Sequence, residues 1–190
     1  LLTKKKRQEY LKYLGFYDGK IDGIVGPKTK TAYKSLQKAF FTRKADIDGL
    51  YGKNTDMLLR NAYNVKKYTK NFELKEFKCG CGGKYCTGYP VVISTQLLKN
   101  LQDVRDKYGA TTVTSGVRCA THNSKLVGSS PTSRHKSGKA VDIINSTSKT
   151  LAGRKKIMAY WKTLKGYHYT YCNNNGNYPN MGTAVHIDVK

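Results

Sequence analysis

The segment Ile21-Asp-Gly-Ile-Val-Gly-Pro-Lys-Thr29 recurs as Ile47-Asp-Gly-Leu-Tyr-Gly-Lys-Asn-Thr55, 26 positions later. A unit repeated at that distance must build the same local structure twice. Each copy reads as a turn running into a helix. Asp and Gly supply the turn, and Pro27 suits a first helical turn, where its missing N–H costs nothing. Ala32, Tyr33, Leu36, Ala39 and Phe40 form a helical stripe after the first copy, and Leu58, Leu59 and Ala62 follow the second. A shorter helix carrying Tyr10, Leu11 and Leu14 precedes them and ends at Gly15. Three short helices with two related turns predict a small bundle. It contains no His or Cys, and its acids are expected in turns or on solvated helix faces, so it holds no catalytic constellation.

The polar, basic run Lys66–Asn71 reads as a linker. The expected domains are therefore 1–65 and 72–190, joined by 66–71. Phe72–Pro90 is Gly- and Cys-rich and reads as a long loop with aromatic anchors. Ser94 is placed to cap a helix running to Tyr108, with Gly109 ending it. Thr111–Ser115 reads as a strand with Arg118 just beyond its end. Residues 150–165 read as a second amphipathic helix, with Ile157, Tyr160, Trp161 and Leu164 inward. Tyr167–Cys172 reads as a strand, Asn173–Asn177 as a turn, and the last strand closes the sheet. Segregated helices and antiparallel strands predict an α+β domain.

The chemistry is concentrated in Ser133-Arg-His-Lys-Ser-Gly-Lys-Ala-Val-Asp142. A turn at Ser137-Gly138 lets the chain double back into a β-branched strand. There Ala140, Asp142 and Ile144 share one face, and Val141 and Ile143 share the other. A carboxylate on an apolar face needs a cation or a donor. With His135 nearby, a zinc ion is the simplest partner to propose. Thr183-Ala-Val-His-Ile-Asp-Val189 alternates likewise, placing Ala184, His186 and Asp188 on one face. Two His and one carboxylate with an open fourth position form the catalytic zinc pattern. Spacing alone leaves open two half-buried strands whose His and Asp residues are merely hydrogen-bonded.

Ser-x-His-x-x-Gly-x-Ala-x-Asp at Ser133–Asp142, followed by a late His-x-Asp strand, resembles the zinc D,D-peptidases of peptidase family M15. Ser115-Gly-Val-Arg118 and Asn123 match the same family upstream, and the likeness runs from about Phe72 to the C-terminus. It implies a mainly antiparallel α+β domain of the Hedgehog/DD-peptidase type. It implies one zinc ion held by His135, Asp142 and His186, with Arg118 holding a substrate oxygen. Many relatives place a Glu three residues before the last His. Here that position is Thr183, which leaves Asp188 as the first candidate base, or as a carboxylate orienting a ligand imidazole. His168 on the neighbouring strand is the next candidate base, and His122 reads as a surface residue. Ser133 is expected to orient substrate or backbone, and Tyr178 to line the cleft. The paired Asp-Gly-x-x-Gly turns resemble the peptidoglycan-binding domain 1 family over about residues 5–64.

Formal charge is +23, with 35 basic against 12 acidic residues. Residues 1–70 carry 17 basic and 6 acidic side chains (+11), and the remainder 18 and 6 (+12). An excess spread over the whole chain suits a polyanionic setting such as nucleic acid, an anionic membrane or a wall bearing anionic polymers. No nucleic-acid module is recognisable, no apolar run approaches a membrane span, and no signal segment is visible. The five cysteines are an odd number. Cys79, Cys81 and Cys86 cluster, with Cys119 and Cys172 far off in sequence. A structural metal, a disulfide and free thiols are the alternatives there.

The leading expectation is a monomeric wall-lytic zinc peptidase at the cell wall or outside the cell. It would cut a D-alanyl-D-alanine, L-alanyl-D-glutamate or cross-bridge bond, and the helical module would hold it on peptidoglycan and anionic wall polymers. The alternative is a non-catalytic wall-binding protein with a structural zinc. A nucleic-acid binder is third.

Overall fold

The computed structural model describes residues 1–174 and 177–190. Three helices open the chain: α1 (Lys4–Leu14), α2 (Pro27–Phe40) and α3 (Lys53–Tyr68). Thr3 caps α1 and Gly15 ends it in the left-handed region. Pro27 is the first residue of α2. The repeat is built around a pair of buried glutamines. Nε2 of Gln8 donates to Asp22 Oδ1, the Ile24 carbonyl and Thr29 Oγ1, while its Oε1 accepts from Gly23 N. Gln37 makes the same set with Asp48, Leu50, Thr55 and Gly49. Each Asp-Gly turn is thus clamped by an amide from the preceding helix, which satisfies polar groups that the bundle buries. Asp56 departs from the expected solvated acids. It is buried, accepting from Leu2 N, Tyr51 Oη and Arg60 Nε.

The α3 helix runs to Tyr68, so the first half of the expected linker is helical. Asn61 on α3 donates to the Val91 carbonyl and accepts from Ile93 N, both at 2.8 Å. Phe40 meets Tyr89 edge-on. Apolar side chains from Leu11 through Trp161 to Val189 then form one continuous core.

The second part comprises α4 (Thr95–Tyr108), β1 (Thr111–Ser115), the short α5 (Ala120–Ser124), β2 (Ala140–Asn145), α6 (Leu151–Thr163), β3 (Tyr167–Cys172) and β4 (Val185–Val189). Ser94 caps α4 as the sequence predicts. The sheet is antiparallel throughout, in the order β1-β2-β4-β3. Val141, Ile143, Val185 and Ile187 are fully buried on its helix-covered side. Trp161 of α6 is also fully buried, and its Nε1 donates to the Asp188 carbonyl, which fixes β4 against the helix layer. Of the turn expected at 173–177, residues 175 and 176 lie outside the described residues. Asn174 and Asn177 exchange backbone hydrogen bonds. The result is a helical bundle joined to an antiparallel sheet domain with helices, the predicted fold class. Among the described residues, no helix is long and apolar enough to cross a membrane.

Candidate metal centre

The register of β2 and β4 sets Asp142 opposite His186. His135 arrives from a 3-10 turn, Arg134–Ser137, which closes on Gly138 at φ 69°. Only glycine suits that position, because a Cβ there would also run into the Val92 carbonyl. The three side chains then converge. His135 Nε2 lies 3.3 Å from His186 Nδ1 and 3.4 Å from Asp142 Oδ1, and His186 Nδ1 lies 2.8 Å from Asp142 Oδ1. All three residues are buried.

The outer hydrogen bonds decide what these atoms present. His135 Nδ1 is 2.7 Å from the Gly116 carbonyl, which can only accept, so Nδ1 carries the proton and Nε2 offers a lone pair. His186 Nε2 is 3.2 Å from Asp188 Oδ2, which turns Nδ1 toward the cluster. Two ring nitrogens and a carboxylate oxygen therefore face one point. Tetrahedral bonds of about 2.0–2.1 Å place ligand atoms roughly 3.3 Å apart. The two wider separations match that spacing, and the third is a hydrogen-bonded contact that a cation would open. The residues fit zinc, each His held from behind by an acceptor as metal ligands require.

Electrostatics agree. Burial holds His135 below its ordinary pKa, in the neutral form that a ligand needs. Burial pushes His186 down too, but hydrogen bonds to Asp142 and Asp188 outweigh it and raise the ring overall. Burial raises the Asp142 carboxyl, yet hydrogen bonds with His135 and His186 hold it well below the carboxylate range.

Arg118 lies against this centre. Its Nη2 donates to Asp142 Oδ2 at 3.0 Å, and Nε and Nη2 both reach Ser115 Oγ. Its backbone N–H donates to the His135 carbonyl. Asp188 stands behind His186, where its Oδ1 accepts from His168 Nδ1 at 2.7 Å and from Tyr169 N at 2.8 Å. The Arg134 guanidinium approaches Asp188 to 3.9 Å. Burial raises the Asp188 carboxyl, but hydrogen bonds with His186 and His168 bring it below its ordinary value. His168 is separated from the converging atoms by that carboxylate and the His186 ring.

Ser133 begins the turn that carries His135, and its side chain makes no capping bond there. Tyr178 packs at a tilt against Tyr171, with centroids 4.6 Å apart, and Tyr171 stacks on His186 at 4.5 Å, so Tyr178 forms the outer end of an aromatic row on the centre. It is half exposed and sits at φ 57°, a strained conformation for a residue with a side chain. His122 is half-buried, with Nε2 packed against Gly80, and is not the surface residue its loop suggested. Ser115, Gly116 and Tyr171 received no role from the sequence. Ser115 and Gly116 were within reach as neighbours of Arg118, whereas Tyr171 depends on strand register. A cleft of about 590 Å³ beside the His135 turn is lined by Thr121, Asn123, Ser129, Pro131 and Lys136. Asn123 Oδ1 is buried there without a hydrogen-bond partner.

A buried centre of two His and one carboxylate on an antiparallel sheet is the open, three-ligand kind of metal site. Residues 70–178 match the family model of peptidase M15, and the chain belongs to that family. Residues 5–55 match the peptidoglycan binding domain model. A spore cortex-lytic enzyme of Bacillus cereus is 38% identical over 76 residues, which is 40% of this chain and 28% of that protein. One from Oceanobacillus iheyensis is 45% identical over 60 residues, 32% of this chain and 21% of its own length. The chain thus spans less than a third of the length of these curated relatives.

Proposed function

We propose that the protein is a zinc peptidase that hydrolyses a peptide bond in the stem or cross-link peptides of peptidoglycan. In this reading the helical module, residues 1–65, holds the wall ahead of a peptidase domain at 72–190, and the protein acts at the cell wall. The observation that carries it is the convergence of His135 Nε2, His186 Nδ1 and Asp142 Oδ1 at 2.8–3.4 Å, each His backed by an acceptor. The names of the cortex-lytic relatives and the wall-binding module support the substrate class.

A zinc ion bound there supplies a Lewis acid that polarises the scissile carbonyl and lowers the pKa of water. The chain's own residues do the rest. His135, Asp142 and His186 hold the ion. Arg118 keeps Asp142 turned so that one oxygen faces the centre, and its cationic fork lies close enough to steady a substrate oxygen. Asp188 accepts from His186 on the side away from the centre, which favours a positioning role over proton transfer. Its other oxygen accepts from His168 Nδ1 and so orients that half-exposed ring on β3. Ser133 and Tyr178 border the site at the His135 turn and the aromatic row. The excess of positive charge draws the protein to anionic wall polymers, and tethering raises its concentration at an insoluble substrate.

The test is loss of turbidity of purified walls. Wild type is expected to clear them, a chelator to stop clearing, and added zinc to restore it. Clearing that a chelator does not affect would overturn the proposal.

A further inference from the structure

The stretch from Lys78 to Val92 has almost no regular secondary structure, yet it lies wedged between the two parts of the chain. On one side Gly83 packs on Thr42 and Arg43. On the other, Cys119 N donates to Cys79 Sγ, and Gly138 passes so close to Val92 that a Cβ would collide with its carbonyl. A loop of this length inside a compact protein needs something to hold it.

What the loop brings together is sulfur. Cys79, Cys81 and Cys86 come from the loop, and Cys119 joins them from the position that caps α5. The four Sγ atoms all lie within 4.8 Å of one another, although Cys119 is distant in sequence from the other three. Cys81 and Cys86 are 3.5 Å apart, well beyond a disulfide bond of about 2.05 Å. Four thiolates around one zinc at about 2.3 Å would stand roughly 3.8 Å apart, so a small inward movement closes the cluster. Backbone N–H groups already point at three of the sulfurs, as they would at thiolates. Cys119 N reaches Cys79, Gly88 N reaches Cys86 and His122 N reaches Cys119, each at 3.4 Å. The His122 ring packs over Gly80, between the first two cysteines.

We propose that Cys79, Cys81, Cys86 and Cys119 bind a second zinc ion in a closed four-thiolate site, separate from the His135 centre. Each sulfur gives up its proton to solvent as the ion binds, and no electrons are transferred. Four protein ligands leave no open position, so the ion is structural. Its effect reaches the first centre through the chain. Cys119 directly follows Arg118, whose guanidinium holds Asp142 and whose N–H holds the His135 carbonyl. The second ion ties the loop to that residue.

The test is zinc content of the full chain, purified under reducing conditions with zinc present, together with cobalt substitution. Wild type is expected to hold two ions per chain and His135→Ala one. The cobalt form of His135→Ala should keep the thiolate-to-cobalt charge-transfer absorption and the strong visible bands of tetrahedral cobalt. Cys86→Ser should lose one ion and those bands while keeping the ion at His135. If that variant does not fold, the cobalt spectrum of His135→Ala decides alone. A His135→Ala protein with no metal and no thiolate band would overturn the proposal. So would an intact mass showing a disulfide among these four cysteines in the reduced preparation.

Discussion

Asp188 accepts from Nε2 of His186 at 3.2 Å, while Nδ1 of the same ring faces Asp142 at 2.8 Å. The carboxylate is therefore on the far side of the imidazole from the metal-facing atoms. It holds the ring in the tautomer and orientation that a ligand needs.

Asp188→Asn is expected to weaken zinc binding by roughly 10–100-fold, with excess zinc restoring most of the rate. Zinc affinity and turnover on one muropeptide check this. Unchanged affinity with a large loss of rate would instead make Asp188 the proton-transfer group.

Arg118 and Asp142 form a largely buried pair, with side chains 15% and 9% exposed. In the metal-free protein, Arg118→Met should cost about 1–3 kcal/mol, because Asp142 Oδ2 loses its charged donor while Oδ1 keeps its ring-nitrogen partners. Zinc at His135, Asp142 and His186 compensates the same charge, so the penalty should shrink in the loaded protein. Denaturant unfolding of both forms measures the difference. An equal penalty in the two would contradict the shared role of Asp142.

The Asp56 carboxyl in the first module is raised by burial, but bonds from Leu2 N, Arg60 and Tyr51 outweigh this and hold it below its ordinary value. A depressed folded-state pKa stabilises the protein above the unfolded value, about 3.9. That contribution is lost as pH falls through the lower folded pKa. Asp56→Asn should therefore lower the unfolding midpoint at pH 7, and its gap from wild type should narrow below about pH 4. A gap constant with pH would contradict this role.

Gln37→Leu is expected to destabilise the protein by about 1–3 kcal/mol, because it leaves the buried Gly49 N–H without its acceptor and takes the Nε2 donor from Asp48, Leu50 and Thr55. Gln8→Leu should cost a similar amount at the first copy. Thermal unfolding of the full chain measures both, and two silent changes would remove the glutamine clamps from the account.

The doubled Asp-Gly turns, the caps at Ser94 and Gly15 and the alternating strands were legible in the sequence because each rests on local chemistry. His135, Asp142 and His186 were legible through strand alternation and the family likeness. The clamping role of Gln8 and Gln37 was not, because each glutamine lies a full helix away from its turn and has no periodic signature. Burial of Asp56 and the placing of Cys119 beside Cys79 depend on packing between segments, which spacing does not encode. The place of Asp188 behind His186 was undecided for a related reason. Two residues apart on one strand, it could reach either ring nitrogen, and only the side-chain rotamers choose.

The most direct measurement is digestion of purified peptidoglycan in heavy-oxygen water, followed by mass spectrometry of the muropeptides. The account predicts new peptide termini carrying one heavy oxygen, formed by wild type with zinc and absent with chelator or with His186→Ala. Intact peptides, or cleavage confined to the glycan strands, would contradict it.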